Sequence, residues 1–85
     1  LIVQTTTDDQ TNSGYIGLRE SNDGFGGYLS YDGDANKLHI GTRQDGNDED
    51  RITINRQTGE VGIGTTSPTS GVALDVAGDV VVDGF

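Results

Sequence analysis

The sequence has no cysteine, no methionine and no tryptophan, and only one proline. Without cysteine there are no disulfides and no thiolate-ligated metal site. Basic residues are scarce. Arg19, Lys37, Arg43, Arg51 and Arg56 face fourteen carboxylates, for a formal net charge of −9. Five scattered cations cannot build the positive stripe that nucleic acid requires, and the acidic excess opposes docking on an anionic bilayer. No apolar run approaches the length of a membrane span, and no signal-peptide pattern appears. We therefore expect neither nucleic-acid binding nor membrane insertion. Apolar residues without glycine are 31 % of 85; the usual value of about 45–50 % counts glycine, and here only the 14 glycines, which bury almost nothing, restore the total. A chain this short buries only about 60 % of its unfolded surface and needs outside help to stay folded. With disulfides excluded, oligomerisation is the remedy that fits best. The chain opens on "LIVQTTT" without Met and stops at "VVVDGF" just after a strand-like run. It reads as an excised or processed piece of a longer polypeptide.

Helix signals are missing too, because the good helix formers never fall at i, i+3, i+4 spacing. What is present is period two. Ile16 and Leu18 alternate, as do Leu29 and Tyr31, Leu38 and Ile40, Ile52 and Ile54, Val61 and Ile63, and Leu74 and Val76, with Val80 and Val82 closing the series. Such runs are strands with one apolar face. Turn chemistry separates them: Asn22-Asp23-Gly24, Asp32-Gly33, Asp45-Gly46-Asn47, and Arg56-Gln57-Thr58-Gly59, where Gly59 suits a left-handed position. Ser67-Pro68 ends a strand, since proline cannot donate to a ladder. Two apolar side chains per strand make a thin core for a monomeric sandwich. Glycines beside them (Gly41, Gly62, Gly64) would let neighbouring backbones approach closely. The expected fold is all-β without helix: an elongated intertwined homotrimer of short strands, a β-prism or triple-β-helix-like shaft. Its organisation reads as a connecting segment at 1–12, a β-rich shaft or knob at 13–65, a linker at 66–71 and a strand segment at 72–85 that leads into a downstream part.

The stretch "TGEVGIGTTSP" at 58–68, followed by "LDVAGDV" at 74–80, resembles the recurring G-x-V-G-I-G-T-T-S-P … L-D-V-x-G segment of bacteriophage tail fibres and related trimeric virion and bacterial surface fibres. "SGYIGLRESNDGFGGYLSYDGDANKLHIGT" at 13–42 is similar to shaft segments found just upstream of it. The resemblance implies a homotrimeric, β-rich, elongated shaft. In those proteins the motif often precedes an intramolecular-chaperone autoprotease, whose catalytic Ser and Lys would lie downstream. No position here is assigned to them.

Individual residues favour structure over chemistry. Asp32-Gly33-Asp34-Ala35-Asn36 matches half of a calcium loop, but Lys37 and Arg43 stand where the EF-hand pattern needs Gly and Glu. Asp45, Asp48, Glu49 and Asp50 read as a solvated acidic tip. His39 alternates with Leu38 and Ile40, so it points away from their face, and one histidine without further ligands is poor evidence for a metal. The same parity sends Thr53 to solvent. The glycine-rich stretches lack the helix and Lys-Ser/Thr of a phosphate loop. A carboxylate pair cannot be singled out among so many, and Ser, His and Asp occur without a nucleophile elbow. We expect no enzyme, no cofactor and no metal.

The expected role is a structural segment of a trimeric phage tail fibre, a virion protein that supports host-cell attachment from outside the cell. The trimer core would comprise Ile16, Leu18, Leu29, Leu38, Ile40, Ile52, Ile54, Val61, Ile63, Leu74 and Val76. Partners would be two further copies of the chain and, in the alternative reading, a host surface glycan or protein. That alternative makes the chain a receptor-binding module, with Phe25, Tyr28 and Tyr31 as candidate contacts and the loops at 20–27 and 44–50 as its surface. A second alternative is a fibre or adhesin on a bacterial cell surface.

Overall fold

The computed structural model describes residues 1–4 and 14–84. Among them there is no helix. Six strands, β1 (Gly14–Arg19), β2 (Gly26–Asp32), β3 (Lys37–Gln44), β4 (Asn47–Asn55), β5 (Val61–Ile63) and β6 (Leu74–Val76), form one open sheet in chain order. The first five are antiparallel neighbours, and β6 joins β5 in parallel. Each strand thus pairs with its sequence neighbour in the same chain. The radius of gyration, 14.6 Å, exceeds the roughly 12 Å of a compact domain this long, as a single layer requires.

The turns form by the chemistry that their residues bring. Asp32 caps the β2–β3 turn, its Oδ1 accepting from the backbone N–H groups of Asp34 and Ala35 at 3.0 and 3.1 Å. That local capping explains the Asp-Gly-Asp stretch without a cation. Asp45 and Gly46 have φ of 51° and 79°, the paired left-handed values of a tight two-residue hairpin. Gly59 has φ 83°, as expected. Its N–H donates to the Asn55 carbonyl at 2.8 Å, while the Asn55 N–H donates to Glu60 at 2.9 Å. A parallel pair cannot be closed by a hairpin, so residues 64–73 cross over to reach β6. Val80 and Val82 do not form a strand. The ladder ends with Ala77 N–H donating to the Ile63 carbonyl, because β5 ends there and leaves nothing to pair with.

One irregularity decides where the charges go. Ile40 pairs with Ile52 but Gly41 pairs with Asp50, so Arg51 is an extra residue in β4. In a regular strand Asp48 and Asp50 would share a face with Ile52 and Ile54. The bulge reverses their parity, placing both carboxylates on the opposite face beside Thr53.

Candidate functional site

The cross-strand register puts every expected core residue on one face. Ile16 lies opposite Leu29, Leu29 opposite Ile40, and Ile40 opposite Ile52. Ile52 then meets Ile63, which meets Val76, while Leu38, Ile54, Val61 and Leu74 form a parallel row. None of these side chains is buried in the single chain. Ile16, Leu18, Leu29, Ile40, Ile63 and Leu74 are exposed, with Leu18 at 71 % and Leu74 at 56 %. Leu38, Ile52, Ile54, Val61 and Val76 are half-buried. Gly27 brings no side chain to this face and leaves a hollow of about 410 Å³ edged by Ile16, Leu18, Leu29 and Ile40. Scattered exposed apolar residues are ordinary, but a continuous patch is a marker of an interaction surface.

The opposite face is polar and holds the best-buried side chains: Tyr28, His39 and Thr53, at 6, 8 and 1 % exposure. The expectation that Thr53 faces solvent is therefore overturned. Parity did send it away from Ile52 and Ile54, but the far face is itself covered. Thr53 sits between His39 and Gly62 in the register, and its Oγ1 lies 2.9 Å from His39 Nδ1. His39 is on this face too, buried where sequence parity alone suggested a surface position. The hydroxyl of Tyr28 donates to Asp50 at 2.5 Å, and Asp50 Oδ2 lies 3.5 Å from His39 Nδ1. Burial, reinforced by the Asp50 carboxylate, holds the Tyr28 hydroxyl far above the ordinary phenol value. Tyr15 stacks on Tyr28 with ring centroids 5.4 Å apart and donates to Asp48 at 3.0 Å. Arg43 donates to the same carboxylate at 3.1 Å, and Arg19 lies over the Tyr15 ring while donating to its hydroxyl.

Glycines make this packing fit. Tyr28 pairs with Gly17 on one side and Gly41 on the other, and a Cβ on Gly41 would collide with the Tyr28 ring. A Cβ on Gly62 would stand 2.6 Å from the Thr65 carbonyl oxygen, because the crossover runs over this face. Gly41 and Gly62 thus accommodate the chain's own ring and crossover, and at Gly41 also the close approach of the Glu49 carbonyl from the neighbouring strand. The crossover is fastened by Lys37, which donates to the Thr66 carbonyl. Asp75 accepts from the Thr69 N–H and hydroxyl at 2.9 and 2.8 Å. Those two bonds hold the Asp75 carboxyl below its ordinary value.

The candidate receptor contacts do not converge. Tyr28 is buried in the polar face, Tyr31 lies on the apolar face opposite Leu38, and Phe25 sits half-buried in the β1–β2 loop. Of the expected acidic tip, Asp45, Asp48 and Glu49 are exposed, whereas Asp50 is half-buried. Asp48 and Asp50 belong to β4, and Gly46 N–H donates to the Gly24 carbonyl at 2.9 Å, tying the two loops at that end together. Sequence reasoning missed the polar cluster of Tyr15, Tyr28, His39, Asp50 and Thr53. Its signal was the set of alternate positions in the same strands, hidden in β4 by the bulge. Neither the family models nor the known protein sequences and solved structures compared with this chain give a match.

Proposed function

We propose that this chain is a structural segment of a homotrimeric fibre shaft, of the tail-fibre kind that supports attachment of a virion to its host. The observation that carries the reading is the apolar face, which runs unbroken across all six strands with no buried residue in it. Moving a Leu or Ile side chain from full exposure to full burial is worth about 1.5–3 kcal/mol, and a single sheet with one bare face forgoes much of that. Three copies turning these faces toward a common axis recover it and leave the polar faces outside. Each copy brings a charge of −9, and that repulsion is tolerable when the carboxylates face water. The Gly27 hollow gives the neighbouring copy a socket. The mechanism is mechanical: an apolar axis sets stiffness, and polar faces keep the shaft soluble.

The test is thermal melting over a hundredfold range of protein concentration under reversible conditions. An assembly without a stable monomer melts at a temperature that rises with concentration. A monomer that melts cooperatively at one fixed temperature would overturn the proposal. The receptor-module alternative predicts instead that the isolated chain binds immobilised glycans through Phe25, Tyr28 or Tyr31.

A further inference from the structure

The polar face carries a groove that the mechanical role does not use. It has a volume of about 330 Å³ and is walled by Tyr15, Ser30, Asp32, His39 and Asp50, within the range of small-ligand sites. Three features define its chemistry. First, the His39 side chain is nine-tenths buried and borders the groove. Its Nδ1 is engaged by Thr53, with Asp50 alongside. Among the described residues Nε2 has no hydrogen-bond partner, and no buried polar atom there is left unpaired, so Nε2 is the part of the ring that reaches solvent. In a neutral imidazole a carboxylate beside Nδ1 favours the tautomer with its proton on that nitrogen, in which Nε2 is an acceptor.

Second, the carboxylates of the groove lack the cations that their neighbours have. Asp48 pairs with Arg43 and Asp23 with Arg19, whereas among the described residues neither Asp32 nor Asp50 pairs with a lysine or arginine. Lys37 lies opposite Asp32 in the register but directs its ammonium to the Thr66 carbonyl. Third, the aromatic wall is already occupied. Tyr15 stacks on Tyr28 and carries Arg19 over its ring, so it is poorly placed to receive a sugar ring. The groove thus presents acceptors on several sides: Nε2, two carboxylates and the Ser30 hydroxyl.

We propose that this groove binds a primary ammonium group, from a free diamine or from a lysine side chain of a partner. An ammonium has three donors and no acceptor, which complements an acceptor-lined, negatively charged groove. Organic cations of this kind need no metal-type ligand shell, and the described residues contain no group of three ligands arranged for one. The side chains of Tyr15, Ser30, Asp32, His39 and Asp50 lie on the face away from the apolar surface, while Gly14 and Tyr31, which also line the groove, belong to the apolar one.

The experiment is titration of the intact chain with putrescine at pH 8, followed by amide chemical shifts, with a parallel titration using a blocked tripeptide that has a central lysine. Saturable shifts confined to Ser30, Asp32, His39 and Asp50 and their neighbours are expected for at least one of the two probes, and which one binds identifies the source. Asp32→Asn keeps a side-chain oxygen to cap Asp34 and Ala35 and removes one charge. It should weaken binding about tenfold, the scale of one charge contact. Asp79→Asn, outside the groove, should leave affinity unchanged. Equal loss in both variants would mean diffuse attraction to an acidic chain, and the proposal falls. It also falls if Asp32→Asn binds as tightly as the parent, if neither probe gives saturable shifts, or if methyl glucoside occupies the groove and the amines do not.

Discussion

On one face of this sheet every strand sets out aliphatic side chains that the described chain leaves partly or wholly bare. On the other, two tyrosines, a histidine, a threonine and two aspartates are linked by side-chain contacts within a single chain. The polar face has its hydrogen bonds, its glycine-made room for rings and a crossover laid over it. Among the described residues the apolar face has neighbours in its own plane and, near Gly14, Val3. An isolated chain therefore has its specificity on the polar side and its unused hydrophobic driving force on the apolar side. The first fixes register, since a one-residue slip would exchange the two faces. The second is the surface that the proposed assembly would cover.

This contrast can be broken in order of expected effect. Ile63→Asp places a charge on the apolar face and should dissociate the assembly outright, read as loss of the high-mass species in sedimentation velocity. Ile63→Ala should cost about 2–5 kcal/mol per site if the face is covered in solution. If the face stays bare, denaturant melts should show a cost within about 0.5 kcal/mol. On the polar side, Thr53→Ala removes the hydroxyl at His39 Nδ1 and should cost about 1–3 kcal/mol, measurable by urea unfolding. A silent Thr53→Ala would mean that the cluster contributes nothing to stability.

Gly59→Val is a smaller perturbation, since a Cβ there meets nothing within 4 Å. Only the backbone penalty remains, roughly 1–2 kcal/mol for a left-handed position. The smallest effect is electrostatic. The Asp75 carboxyl has its value depressed below 3.8 by Thr69, so its contribution is fully present above that value and is lost as pH falls through the lower folded-state value. Asp75→Asn should therefore flatten the acid limb of the stability profile while leaving the chain folded at neutral pH.

The two faces also differ in how legible they are. The apolar pairs at 16/18, 29/31, 38/40, 52/54, 61/63 and 74/76 announce their strands and their shared side through period two alone. Asp45-Gly46 and Gly59 announce turns through the φ values they tolerate. The polar cluster is harder to read because it depends on an event that composition does not encode. Asp48, Asp50, Ile52 and Ile54 are all even-numbered, and only the bulge at Arg51 sends the carboxylates to Tyr28 and His39. The conflict of charges and isoleucines on one nominal face was the available clue. Burial of Thr53 was illegible for a related reason, since alternation reports which side a residue takes and not what covers that side. Val80 and Val82 mark the converse limit: an apolar alternation forms no strand without a neighbour to pair with.

The central claim is that the bare face is covered by further copies of the same chain, and the most direct measurement is the molar mass of the folded chain by multi-angle light scattering at micromolar concentration. The account predicts a single species of about three times the 8.9 kDa chain mass. A folded species at the mass of one chain, with Ile63 and Leu74 still open to water, would contradict it.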